Sequence, residues 1–215
     1  MVRGTGYLVA ATLGVIAAAF WIALSHDPAV LAGYFPPGLR QPAIWCGVPA
    51  QPILRRFEAE WYANHLLSAD ETSLFQASEK ELVHHPKTYR FTWLRSFHKP
   101  VVVRLDQTDG GSFQLVAKRL SGKGGYDAGS VEARITRILT PQEQRRFTDG
   151  LNAAQDLNLP PVGCEHMVDG AAWIMEADED GRYKYLHRQS PTQGPVYDLG
   201  ILLLGFTGWN LDPIY

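Results

Sequence analysis

The chain has 215 residues, with 20 lysines and arginines against 22 aspartates and glutamates, a formal net charge of −2. That slightly acidic balance, with the basic residues scattered rather than striped, excludes a nucleic-acid binder. The length suits one domain able to bury a core of its own, with room for a short N-terminal element.

Gly4–Ser25 carries no charge, and the apolar run Tyr7–Leu24 lies at its heart. At about 1.5 Å per residue the stretch makes a helix of roughly 33 Å, enough for a hydrocarbon core of about 30 Å. Tyr7 and Trp21 lie near its ends, where amphipathic rings favour the headgroup region, and Arg3 is the only charged side chain before it. Residues 1–6 are therefore expected in the cytoplasm and 7–25 as a transmembrane signal anchor in the lipid bilayer. Everything beyond is expected on the periplasmic side of a cell inner membrane. A cleaved secretory signal, with Ala23 and Ser25 as the small residues before the cut, is the alternative. Pro28–Pro52 is rich in proline and also holds Gly33, Gly38 and Gly47, so residues 26–51 read as an irregular tether. The two cysteines, Cys46 and Cys164, would pair in an oxidising compartment; in a reducing one they would be unrelated thiols.

Residues 52–215 read as the domain. Pro52–Leu67 is an amphipathic helix, with Leu54, Phe57 and Trp61 on one face. Thr88–His98 switches to period two, with Tyr89, Phe91, Trp93 and Phe97 on one side and Arg90, Thr92 and Ser96 on the other. Val101–Asp106 and Ser112–Leu120 flank Asp109-Gly110-Gly111 and predict an antiparallel hairpin. After the glycine-rich Ser121–Gly129, Val131–Leu139 resumes alternation. Thr140-Pro141-Gln142-Glu143 starts a helix: the threonine caps, the proline takes the first turn and the glutamate reaches back. Ala172–Ala177 and Arg182–Arg188 flank Asp180-Gly181 as a second hairpin, and Gly194-Pro195 opens a last apolar helix over Val196–Phe206. The expected fold class is α+β: an N-terminal transmembrane helix, then a mostly antiparallel sheet with helices packed on one face.

Several segments occur together in order: Tyr89–His98, Gly122-Lys123-Gly124-Gly125-Tyr126-Asp127, Trp173-Ile174-Met175-Glu176, Gly181-Arg182-Tyr183 and Arg188-Gln189-Ser190-Pro191. In this arrangement residues 50–215 resemble a bacterial family of uncharacterised proteins whose members often carry an N-terminal membrane or export segment. In that family an aromatic usually stands between the arginine and serine of the last motif, where this chain has Gln189. The resemblance implies a coherent domain and no particular reaction.

Two features stand out as candidate sites. In the glycine loop, Lys123, Gly124, Gly125 and Tyr126 offer backbone amides and a positive charge to an anion, although a connection that needs positive φ explains the glycines equally. It is not a P-loop, because no serine or threonine follows the lysine. Arg95 shares strand parity with Phe91, Trp93 and Phe97, so it must be paired in the core. Glu176 is the expected partner, and a pocket arginine for a ligand carboxylate or phosphate is the alternative. No metal site or cofactor is expected: His84-His85 are adjacent and point apart, and Glu165-His166 beside Cys164 lacks a second ligand pair. Ser190 stands outside any nucleophile elbow, and His187 and Asp198 do not make it a triad.

These features read as a membrane-anchored extracytoplasmic domain for binding or scaffolding, with a protein or envelope component as partner. The expected ligand surface joins Lys123, Gly124, Gly125 and Tyr126 to Arg95, Arg104 and Arg188, with Glu176 nearby. The alternative is a hydrolase-like envelope enzyme using Glu176 or His187 as acid–base groups.

Overall fold

The computed structural model describes residues 31, 33–43, 51–80, 86–155, 159–164 and 169–215. A single 3-10 turn, Pro37–Arg40, precedes a two-residue ladder between β1 (Pro42–Ala43) and β2 (Gln51–Pro52). Helices α1 (Arg56–Ser68) and α2 (Leu74–Ser78) follow, then strands β3 (Thr88–Arg95), β4 (Val101–Gln107), β5 (Phe113–Leu120) and β6 (Val131–Ile138). Next come α3 (Pro141–Gln155), the hairpin β7 (Ala171–Glu179) and β8 (Arg182–Gln189), and α4 (Pro195–Gly205). Strands β3–β8 form one sheet in the order β6-β5-β4-β3-β7-β8, antiparallel throughout.

Local chemistry accounts for the boundaries. Asp180 and Gly181 both take positive φ (56° and 75°), the primed geometry that a tight hairpin between twisted strands needs. At the start of α3, the Thr140 hydroxyl accepts from the Glu143 amide while the Glu143 carboxylate accepts from the Thr140 amide, a reciprocal cap. Gly194, with φ of 94°, swings the chain into α4, and Pro195 takes its first turn.

The sheet carries two cores. Tyr89, Phe91, Trp93, Val103, Leu115 and Trp173 face α3 and α4, packing against Phe147, Leu199 and Leu203. Leu94, Val102, Ala172 and Ile174 face the other way, against Tyr62, Ala63 and Leu66 of α1 and against Tyr34 and Phe35. Helices on one face, as expected from the sequence, is therefore corrected to helices on both. Strands β3 and β7 are buried along their whole length, so residues of either parity lie in a core. Gly200 lets α4 reach the sheet, since a Cβ there would lie 2.5 Å from the Trp173 ring.

Helix α1 is also turned from its expected face. Leu54 is buried but precedes the helix, Phe57 is 74% exposed, and the buried set is Ala59, Tyr62, Ala63, His65 and Leu66. The face turned to the core is the one that carries Ala59, Tyr62, Ala63 and Leu66 at helical spacing, and Phe57 falls outside it. Part of the stretch read as a tether is packed, because Tyr34 and Phe35 join the second core.

Among the described residues no helix is long and apolar enough to cross a membrane. For the described residues the fold class is accordingly corrected to α+β with no transmembrane helix among them, and the membrane-spanning, single-pass reading finds no support there. The segment 7–25 lies outside the described residues. So does Cys46, and with it the pairing expected with Cys164; no disulfide joins two described residues, although Cys164 is not a free thiol.

Candidate functional site

The glycine loop spends its amides internally. Gly122 and Lys123 donate to the carbonyls of Ala128 and Asp127, while Gly124 and Gly125 donate to those of His98 and Ser96 in the β3–β4 turn. An anion would find these N–H groups already engaged, so the loop docks one turn on another. Gly124 is required by that close approach: a Cβ there would stand 2.5 Å from the Arg95 carbonyl oxygen. His65 of α1 abuts the same loop, its Nε2 lying 3.4 Å from the Lys123 oxygen, and burial lowers the pKa of its imidazole. Tyr126 projects outward, 64% exposed, beside Phe97. With Phe57, Trp61, Glu60 and Gly125 it lines a shallow groove.

Arg95 does not meet Glu176. Its guanidinium stacks on the Trp93 ring at 4.0 Å and donates to the carbonyls of Leu211, Pro213 and Lys99. The indoles of Trp93 and Trp173 both donate to the Tyr215 carbonyl oxygen. Arg95 is thus a clasp for the segment after α4, and backbone carbonyls supply the partner that parity alone left open. Burial lowers its pKa, and Arg119 adds to that effect.

Glu176 instead pairs with Arg90, the residue directly opposite in β3. The Arg90 Nε and Nη2 donate to the two Glu176 oxygens at 2.8–2.9 Å, and the Tyr183 hydroxyl donates to Oε1 at 2.9 Å. Arg90 also stands opposite Arg104 of β4, a like-charge pair that needs counter-charge. Glu71, from the link between α1 and α2, provides it: Lys118 reaches Oε1 at 2.5 Å and Arg104 reaches Oε2 at 2.6 Å. Arg104 further bonds Asp106, so three cations meet three carboxylates. Burial alone would raise the pKa of Glu71, but Arg104, Arg90 and Lys118 outweigh it and hold the group below its ordinary value. The network ties the α1–α2 link to four strands. With both oxygens occupied and the side chain sealed, Glu176 is a structural anion. The strand pattern places Arg90 on the side away from Tyr89, Phe91 and Trp93, and does not show that this second side is a core as well.

The expected surface is therefore not assembled. Arg95 faces the α3–α4 side, whereas Arg104 faces the α1–α2 link. Arg188 of β8 donates to the carbonyls of His187 and of Pro160 in the segment between α3 and β7, and the His187 ring lies against Tyr62. Among the described residues no group of three or more histidine, cysteine or acidic side chains is placed to hold a metal ion. His84, His85, Glu165 and His166 lie outside the described residues.

A cavity of about 390 Å³ opens between the sheet and α3/α4, at the β7–β8 edge. Phe147, Leu151 and Ala154 of α3 and Val196, Leu199 and Leu203 of α4 form one wall, facing Met175, Ala177 and Leu186 of the sheet. One end is polar. Glu179, buried near the hairpin, accepts from the Tyr89 hydroxyl at 2.8 Å and from Lys184 Nζ at 2.6 Å. Burial and the neighbouring Glu179 both raise the pKa of the Tyr89 phenol, so it stays a hydroxyl donor. The Lys184 side chain is 50% exposed, which sets this end at the mouth. Size, apolar walls and a few convergent polar groups are the features of small-ligand sites. No sequence pattern announces the cavity, because its lining reads as ordinary core on five separate elements.

No family model matches the chain, and neither a curated protein nor a solved structure matches it.

Proposed function

We propose that the domain is a binding module that takes a small ligand with an apolar body into the cavity between the sheet and α3/α4. The observation that carries this is an apolar space of about 390 Å³ ending on Tyr89, Glu179 and Lys184. The chemistry around it supports binding over catalysis. Glu176 is locked to Arg90 and Tyr183, and Glu179 is held by a lysine and a tyrosine. Fluorescence of N-phenyl-1-naphthylamine tests the reading. The dye brightens saturably with the native protein, and Ala154→Phe, which fills the space, abolishes the rise without lowering Tm. An equal rise with the filled variant refutes it.

A second, compatible reading is a face for a protein or envelope partner, favoured by the exposed rings of Phe57 and Tyr126 along one groove, with the exposed Phe97 beside Tyr126. Contiguous exposed aromatics of this kind mark interaction surfaces. Phe57→Ser with Tyr126→Ser would remove partner binding and leave dye binding intact.

A further inference from the structure

We infer that the cavity selects ligands that carry a cationic amine on an apolar body, with Glu179 as the counter-charge. This rests on the cavity being a ligand site. Glu179 is buried at the cavity's polar end, and a buried carboxylate demands a positive partner. Lys184 supplies one, but its side chain is 50% exposed, so it can swing into water at small cost and leave its place to a ligand ammonium. Tyr89 still donates to the other carboxylate oxygen in that exchange, and the ligand ammonium takes over the hydrogen bond that Lys184 gives up. An ammonium with an alkyl chain then satisfies both ends at once: its charge replaces that of Lys184, and its chain lies against Phe147, Leu151 and Leu199.

The same geometry disfavours the other head groups. An alkyl carboxylate would reach Lys184 only by lying beside Glu179, where like charges repel in a poorly solvated setting. An alcohol neither gains nor loses charge and reports the apolar contribution alone. The expected order is amine, then alcohol, then carboxylate.

Displacement of N-phenyl-1-naphthylamine by octylamine, octanol and octanoate at neutral pH tests this. Octylamine is protonated there, as a lysine side chain is. It is expected to displace the dye at least about tenfold better than octanol, with octanoate the weakest. Glu179→Gln brings octylamine to the level of octanol and leaves octanol unchanged. Lys184→Met, with its fold checked by a thermal melt because it leaves Glu179 without that cation, tightens octylamine by removing its competitor. Equal displacement by amine and alcohol in the native protein, or an octanoate preference, overturns the charge selection while leaving the cavity as a site. Failure of all three to displace the dye overturns the cavity reading itself, and this inference with it.

Discussion

Glu71→Gln isolates the buried charge network. The amide keeps the shape of the side chain and removes its charge. Arg90 retains Glu176 and Arg104 retains Asp106, so the cost concentrates on Lys118, left with the Asp70 carbonyl among the described partners. Lys118 is 3% exposed, and stripping a buried cation of its counter-ion costs about 3–5 kcal/mol. For a domain of this size that is a Tm drop of roughly 6–20 °C, or a matching fall in the urea midpoint with an unchanged slope. The sign with pH follows from the depressed pKa of Glu71. Its contribution is full above the unfolded value of about 4.3 and is lost as pH falls through the lower folded value. The gap between native protein and variant therefore narrows in acid. Glu71→Leu combined with Lys118→Met, which removes both charges, recovers much of the loss. A loss below about 1 kcal/mol, the worth of an exposed pair, would refute the reasoning, as would a gap that ignores pH.

Three further outcomes are expected. Gly124→Ala drives a Cβ to within 2.5 Å of the Arg95 oxygen and should unseat the loop, whereas Gly205→Ala meets nothing within 4 Å and should be tolerated; thermal melts of the two compare directly. Glu143, held down first by the Arg137 guanidinium and also by Thr140, should titrate at about 2 by NMR, and Arg137→Ala should return it toward the ordinary carboxylate range. Its contribution to the α3 cap is present above the unfolded value and lost only as pH falls through about 2. Arg95→Met removes charge-assisted bonds to Leu211 and Pro213. It should lower stability by about 1.5–3 kcal/mol and speed amide exchange after α4, and unchanged exchange there would argue against the clasp.

Much of the architecture is legible in the sequence alone. The Asp180-Gly181 turn, the Thr140 cap, the Gly194-Pro195 entry and the alternation from Tyr89 to Trp93 are local signals, written in a few adjacent residues and read by backbone sterics alone. The site was not legible in the same way. Arg95, on the core parity, needs a partner, yet two of its three carbonyl partners lie more than a hundred positions away in the chain. Glu176 was singled out for Arg95 and belongs to Arg90, because register, and not parity, decides which residues stand opposite.

By itself the sequence determined the six strands of the main sheet, where its hairpins turn and where α3 and α4 begin, since those depend on near neighbours and on the φ each residue tolerates; it shows no sign of β1, β2 or α2. Only the tertiary structure decided that both sheet faces are covered, that three cations and three carboxylates meet beneath the α1–α2 link, and that five elements leave a space ending on Glu179. Those features arise from which surfaces press together, and a buried charge or an unfilled volume has no local pattern to announce it.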